Sequence, residues 1–322
     1  MGWVDWFCET FEFFTKGHNT KQLSQWLQIP VPQLREISVS YRQFPIPKRS
    51  GKPRIIHAPN DHLKQTQRVI LRRLLRNLRS HPAAVGFEKG RSIVTGARQH
   101  VGKAVVLHFD VVDFFPNTSA DQVYRYFRAI GWNLAASKLL VRLVTHNGAL
   151  PQGAPTSPRL SNLVNYLLDE RLTRLCDEVG ASYTRYADDI TISSESDWFD
   201  LNQFTRVVFS IVYAQGYHLH VGRKMKIRRR SKRQTVNGLV VNEKVNLPRE
   251  KRRWLRAVKH RAKMHWDWHD SKTTATSSLG VHPKKYFTKR PTITQSQFEG
   301  WIAFEKMIQR QRNPPPEDSS EV

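Results

Sequence analysis

The sequence feature that most restricts the fold is a set of carboxylates placed where buried strands end. Residues 104–109 (AVVLHF) form a short, β-branched apolar run, as a strand covered on both faces would, and Asp110 follows directly. Residues 181–186 and 190–193 read as two further strands joined by Ala-Asp-Asp, a hairpin with Asp188 and Asp189 at its tip. Carboxylates at the ends of adjacent buried strands repel one another unless a cation sits between them. Mg²⁺ takes one or two protein carboxylates together with water and phosphate oxygens. Two such ions several ångströms apart can clamp the attacking and leaving oxygens of a phosphoryl transfer. The combination points to nucleotide addition. The competing reading is that Asp-Asp is simply a favourable turn dipeptide.

The rest of the chain has the opposite sign. Its 322 residues include 52 Lys and Arg against 27 Asp and Glu, a formal net charge of +25, which implies a polyanionic partner. With 39% hydrophobic and 11% aromatic residues, including 9 Trp, the chain is too apolar for a disordered basic tail, so the charge sits on a folded body. Residues 223–263 hold 17 Lys or Arg against Glu243 and Glu250, which is +15 of the +25. Trp254, Leu255, Val258, Trp266 and Trp268 interleave with that run and argue for packed helices presenting a charged face. Cys8 and Cys176 form no metal or disulfide pattern. Residues 2–14 are aromatic but interrupted by Asp5, Glu9 and Glu12, which fits an amphipathic helix docked on the core rather than a signal peptide. No run approaches the roughly 20 apolar residues of a membrane span, and a cytoplasmic location is expected.

Prolines 30 and 32 divide residues 20–40 into two short helices. Residues 45–54 (PIPKRSGKPR) read as a basic, turn-rich loop entering a strand at 54–57. Residues 63–79 carry leucines and isoleucine at helical spacing with Arg68, Arg72, Arg73, Arg76 and Arg79 between them, a helix with one buried and one basic face. Helices are expected from about Ser119, from Leu134, from Pro158 to Gly180, and over 199–215. Strands are expected near 217–221, 225–228 and 236–241. Residues 313–322 read as a disordered tail. The order suits an α+β sheet with helices on one face.

Three segments, Asp110-Val-Val-Asp-Phe-Phe-Pro116, Leu150-Pro-Gln-Gly-Ala-Pro-Thr-Ser-Pro158 and Tyr186-Ala-Asp-Asp189, together resemble the palm motifs of reverse transcriptases in order and spacing. The resemblance implies a right-hand polymerase with fingers at 41–102, an antiparallel-sheet palm at 103–242 and a helical basic thumb at 243–312, after an N-terminal helical extension at 1–40. It implies DNA synthesis from dNTPs with two Mg²⁺ ions. Asp110, Asp188 and Asp189 match the metal-holding carboxylates, with the Val111 carbonyl beside them. Phe115 matches the steric gate that excludes a 2′-hydroxyl, with Phe114 or Phe115 also expected in the core. Gln152 matches the glutamine bordering the incoming nucleotide. Arg54, with Lys52 a weaker candidate, resembles the arginine on the triphosphate, and Lys224 the lysine near the leaving pyrophosphate.

Residues 86–93 (GFEKGRSI), Gly96-Ala-Arg-Gln-His100, Val236-Asn-Gly-Leu-Val-Val-Asn242 and Gly300-Trp-Ile-Ala-Phe304 resemble segments of bacterial retron reverse transcriptases. Two positions depart from that pattern, Gly96 for Asn and Asn237 for Thr, in segments the family uses to engage its own RNA. The resemblance implies a cognate structured noncoding RNA of the msr-msd type and priming from a guanosine 2′-hydroxyl. The product would be branched RNA–DNA (msDNA), and the role anti-phage defence beside an effector protein. His100, Gly238, Arg252, Arg253 and Arg256 are the expected RNA contacts, a structural role for His100 being the alternative. A group II intron-type enzyme priming from a 3′-hydroxyl, and a catalytically silent RNA-binding protein on the same fold, are the other readings.

Overall fold

The computed structural model describes residues 17–48, 51–196, 200–222, 225–265 and 294–312. The helix expected at 2–14, Lys224, Trp266, Trp268 and the tail lie outside them. Asn19 caps α1 (Thr20–Leu27) through a capping box, and α2 (Val31–Glu36) starts behind Pro30 with Pro32 in its first turn, as the prolines require. Next, β1 (Tyr41–Lys48) and β2 (Gly51–Pro59) pair as an antiparallel hairpin. The loop expected at 45–54 is therefore mostly strand. A two-stranded ribbon leaves each strand one unpaired edge, where Pro45, Pro47 and Pro53 are tolerated.

The expected helix at 63–79 is α3 (Asp61–Ile70), which runs into a π-helical turn at Leu71–Leu75. Its buried face includes Leu63, Ile70, Leu74 and Leu75, and it joins α6 (Ala120–Ala129) and α7 (Leu134–Val144) in a core around Phe127 and Trp132. The helix expected from Pro158 to Gly180 divides at Asn165 into α8 (Ser157–Val164) and α9 (Tyr166–Glu178).

The central sheet has the order β4-β5-β3-β6 and is antiparallel throughout: β3 Val105–Asp110, β4 Ala181–Tyr186, β5 Asp189–Ser194, β6 Lys226–Arg229. Its two faces follow from the period of two. Val105, Leu107, Phe109, Ile190, Ile192 and Tyr183 pack against Leu168, Leu172 and Cys176 of α9 and Phe204, Val208 and Val212 of α10 (Leu201–Ala214). The other face carries Asp110, His108 and Val106 from β3, and Asp189, Thr191 and Ser193 from β5. Residues 217–221 form no regular strand but run along the end of β3 through a Val111–Leu219 bridge.

The polar face is closed at its rear by α4 (Ile93–Arg98), the hairpin of β7 (Thr235–Val236) and β8 (Leu239–Val240), and the root of the helices α11 (Arg249–His265) and α12 (Gln295–Arg312). Val106, Val94, Ala97, Val236, Leu239, Leu255 and Ile308 make that third core. Leu255 and Val258 of α11 are buried while Arg252, Arg253 and Arg256 are exposed, the expected amphipathic split.

His100 belongs to this closure and not to an RNA-facing surface. It is 0% exposed, with Nδ1 2.7 Å from Ser193 Oγ and Nε2 2.7 Å from Thr184 Oγ1, so a ring expected to touch RNA instead ties α4 to the sheet. Burial, with His108 and Lys103 nearby, pushes its pKa down to about 3. The unfolded chain therefore binds a proton here below about pH 6.5 that the folded one refuses until about pH 3, so this site's contribution to stability falls with pH across that window. Chemical denaturation between pH 7 and 5 should show a loss approaching about 1.4 kcal/mol per pH unit that His100→Gln reduces. An equal loss in parent and variant would contradict the assignment.

Candidate active site

The register of the sheet brings the three aspartates to one end. Asp110 and Asp189 are cross-strand partners on β3 and β5, and the Val111 N–H donates to the Asp188 carbonyl at 2.9 Å. The same-face row behind them is Thr184, Thr191, His108 and Lys226, one residue from each strand. His220 donates its backbone N–H to the Asp110 carbonyl at 2.8 Å and places Nε2 3.4 Å from Asp110 Oδ2. His108 Nδ1 lies 3.7 Å from Asp189 Oδ1. A cavity of about 370 Å³ opens from Asp110 and Asp189 past His108 and Lys226 to the 235–238 turn. Asn237 and Gly238 occupy that turn with φ of 49° and 81°, the left-handed pair a two-residue hairpin demands, and Gly238 is exposed there.

Asp188 is the most constrained of the three. Burial, together with repulsion from Asp110 and Asp189, holds its carboxyl above the ordinary carboxylate range, and Arg54 on β2 offsets part of this. Among the described residues no three His, Cys, Asp or Glu side chains stand in a ready-made ligating cluster. The donors nevertheless fit a hard divalent cation: oxygen only, two to three carboxylates, and a like-charge repulsion that such a cation relieves.

The turn that carries Asp188 is pinned from beneath. Arg185 and Asp169 are both 0% exposed, with Nε–Oδ1 at 2.7 Å and Nη2–Oδ2 at 2.6 Å. Burial opposes the guanidinium charge but Asp169 outweighs it, so Arg185 stays charged. Its remaining nitrogen, Nη1, donates to the Ala187 carbonyl at 3.2 Å and to Asn162 Oδ1 at 3.3 Å, and Ala187 itself has a φ of 55°. Tyr183 completes the cluster, donating its hydroxyl to Asp169 at 2.7 Å.

Two further candidates lie at the β1–β2 hairpin, Arg54 on β2 itself and Gln152 in a loop that bonds to it. Gln152 sits in the loop after Leu150, where its carbonyl accepts the His57 N–H at 2.8 Å. Gly153 follows with a φ of 125°, and a Cβ there would lie 2.7 Å from Ile56 Cγ2 and 2.9 Å from the His57 carbonyl, so only glycine allows that loop to meet β2. After Asp113 (φ 41°), the short helix α5 (Phe114–Asn117) buries Phe114 against Tyr217 and Arg185, while Phe115 remains half-buried. Phe114 is thus a core residue, while Phe115 packs against the core with its ring half-buried. Arg252, Arg253 and Arg256 are exposed on α11.

Single-residue reasoning passed over Arg185, Asp169, His108 and His220. The pattern offered a signal only for Arg185, a charge at an inward position of a strand. The structure makes a prediction about this buried pair. Asp169→Asn should destabilise the fold by about 3–5 kcal/mol in denaturant unfolding. The combination Asp169→Leu, Tyr183→Phe and Arg185→Met should recover most of that stability yet extend primers poorly, because Ala187 loses its donor. Parental activity in the recovered protein would show that the turn holds itself.

Comparison with known proteins agrees with this geometry. Residues 46–242 match the family model described as reverse transcriptase (RNA-dependent DNA polymerase). The chain is 35% identical over 250 residues to the retron Ec86 reverse transcriptase of Escherichia coli, covering 76% of this chain and 78% of that protein. It is 39% identical over 246 residues to the retron Mx65 reverse transcriptase of Myxococcus xanthus, covering 70% of this chain and 57% of that one. For the retron Mx162 reverse transcriptase of the same organism the identity is 34% over 294 residues, covering 77% and 60%. An antiparallel palm sheet with three aspartates at one end, matched over this length, places the chain in the reverse transcriptase family: it is an RNA-directed DNA polymerase of the bacterial retron type.

Proposed function

We propose that the chain copies a cognate structured noncoding RNA of the msr-msd type into DNA. It starts from a guanosine 2′-hydroxyl of that RNA, so that the product is branched RNA–DNA. The observation that carries the reading is the rung of Asp110 and Asp189 with Asp188 beside it, set at the mouth of a cavity that runs to the 235–238 turn. Two Mg²⁺ ions bound by Asp110, Asp188, Asp189 and the Val111 carbonyl would lower the cost of the attacking and leaving oxygens' charge. The chain's own residues supply the rest. Arg54, exposed on β2 and electrostatically coupled to Asp188, receives the triphosphate of the incoming dNTP. Phe115 presents its half-buried ring to the sugar and leaves no room for a 2′-hydroxyl on the nucleotide being added. Gln152 borders the base, fixed through its carbonyl to His57. Lys224 assists the departing pyrophosphate.

Gly238, which lines the same cavity as Asp110 and Asp189, and the exposed Arg252, Arg253 and Arg256 of α11 hold the RNA by phosphate contact, which makes binding steeply salt-dependent. No helix among the described residues is long and apolar enough to cross a membrane. We place the enzyme in the cytoplasm, acting in anti-phage defence with an effector protein encoded nearby. Sequencing of nucleic acid that copurifies with the protein should find single-stranded DNA joined through a 2′,5′ branch to RNA. DNA joined only to RNA 3′-ends would instead assign the chain the intron-type mode of priming.

A further inference from the structure

The β1–β2 hairpin carries Arg54 away from the body of the protein, with residues 42–47 and 53–55 exposed. Among the described residues two hydrogen bonds tie it to the rest of the chain. The Tyr41 hydroxyl accepts from Gln67 of α3 at 2.9 Å, and the His57 N–H donates to the Gln152 carbonyl at 2.8 Å. A two-stranded ribbon is marginal by itself, so one tied this sparsely needs a further brace at its root if Arg54 is to keep its place.

His146 supplies that brace. Its ring centroid lies 4.3 Å from that of Tyr41 with the planes at 31°, and 5.5 Å from that of His57 with the planes at 56°. Tyr41 and His57 share one face of the ribbon, as the cross-strand pairs Tyr41–Pro59 and Gln43–His57 require, and Arg54 lies on the other. His146 therefore packs against the side of the hairpin that Arg54 leaves free.

His146 and Gln152 belong to one tightly bonded loop. The His146 and Ala149 backbones exchange N–H···O bonds of 2.8 and 3.1 Å across a turn whose central residues, Asn147 and Gly148, have φ of 49° and 77°. The Ala120 N–H donates to the Gly148 carbonyl at 2.7 Å and the Leu150 N–H to the Thr118 carbonyl at 3.0 Å, which fixes the turn to the start of α6. The loop thus grips His57 with two prongs: His146 meets its ring, and the Gln152 carbonyl takes its N–H.

We propose that His146 is a positioning residue for the incoming nucleotide: wedged against Tyr41 and His57, it holds β2, and with it Arg54, at a fixed place relative to Gln152. The inference rests on the reading that Arg54 and Gln152 receive the dNTP. The wedge works with a neutral ring. Burial and the neighbouring His57 hold the His146 pKa below the ordinary imidazole range. The groups facing it are His57 from β2 and Tyr41 from β1, which burial keeps as the neutral phenol, with uncharged Gln67 behind Tyr41. A depressed imidazole pKa favours the grip at neutral pH, and the grip is lost as acid protonates the ring beside His57.

The test is steady-state addition of one dNTP to a primed RNA by the full-length protein, with hydrogen exchange of residues 54–58 followed in the same preparations. His146→Ala should raise the KM for dNTP about fivefold, leave kcat within about twofold of the parent and speed exchange of those amides. His146→Phe keeps the stacked ring and removes its titration. It should match the parent at about pH 7.5 and hold that KM down to about pH 5.5, where the KM of the parent rises several-fold. A residue that merely stabilised the fold would change the active fraction, and so kcat, at constant KM. Parental KM in His146→Ala, or a KM raised as much by Phe as by Ala, would overturn the assignment. A parent that adds no nucleotide, with exchange faster in His146→Ala and parental in His146→Phe, would uphold the brace on the hairpin and refute the polymerase reading, so the two failures are distinguishable.

Discussion

Repulsion among three carboxylates at one end of an antiparallel sheet is the constraint around which the molecule is arranged. Asp110 and Asp189 are fixed opposite each other by the β3–β5 register, and Asp188 is partly buried beside them. Left to itself the turn would swing outward and let water separate the charges. The buried Arg185–Asp169 pair opposes that motion by anchoring the Ala187 carbonyl, and the 2.9 Å bond from Val111 to Asp188 anchors the next residue. The site is thus assembled against its own electrostatics, which is what a binding place for a divalent cation requires.

The surrounding charge has the complementary role. Arg54 leans on Asp188 from the β1–β2 hairpin, His108 and His220 face Asp189 and Asp110, and the outer surfaces of α3 and α11 are lined with arginine. Much of the net +25 lies outside the catalytic rung, on surfaces where polyanionic strands can lie, while three aspartates stand together where phosphoryl chemistry needs them. The same logic explains the polar face of the sheet. It passes from buried Val106 through half-buried His108 to Asp110, so a packed core turns into a reaction site within five residues of one strand.

Local pattern carried most of this a long way. The strand ending in Asp110, the hairpin with Asp188 and Asp189, and the capped helices at Ser119 and Leu134 follow from period, capping and turn chemistry. The misses were all long-range. Prolines in 45–54 read as a loop because nothing local announces a partner strand at 41–48. At the break, Asn165 donates from its side chain to the Tyr217 hydroxyl, 52 residues away. His100 read equally well as an RNA contact or as a structural residue, because its two partners, Thr184 and Ser193, are more than 80 residues distant. Arg185 escaped notice for the same reason: its meaning lies in Asp169 on a neighbouring helix.

The central claim is that the three aspartates join nucleotides on an RNA template rather than merely shape the sheet. Single-nucleotide extension of a primed RNA by the parent and by Asp188→Asn, across a range of Mg²⁺ concentrations and with RNA binding measured beside it, addresses this directly. The account predicts Mg²⁺-dependent extension by the parent, extension at background for the variant, and equal RNA binding by both. Parental extension by the variant, or loss of RNA binding in proportion to activity, would contradict it.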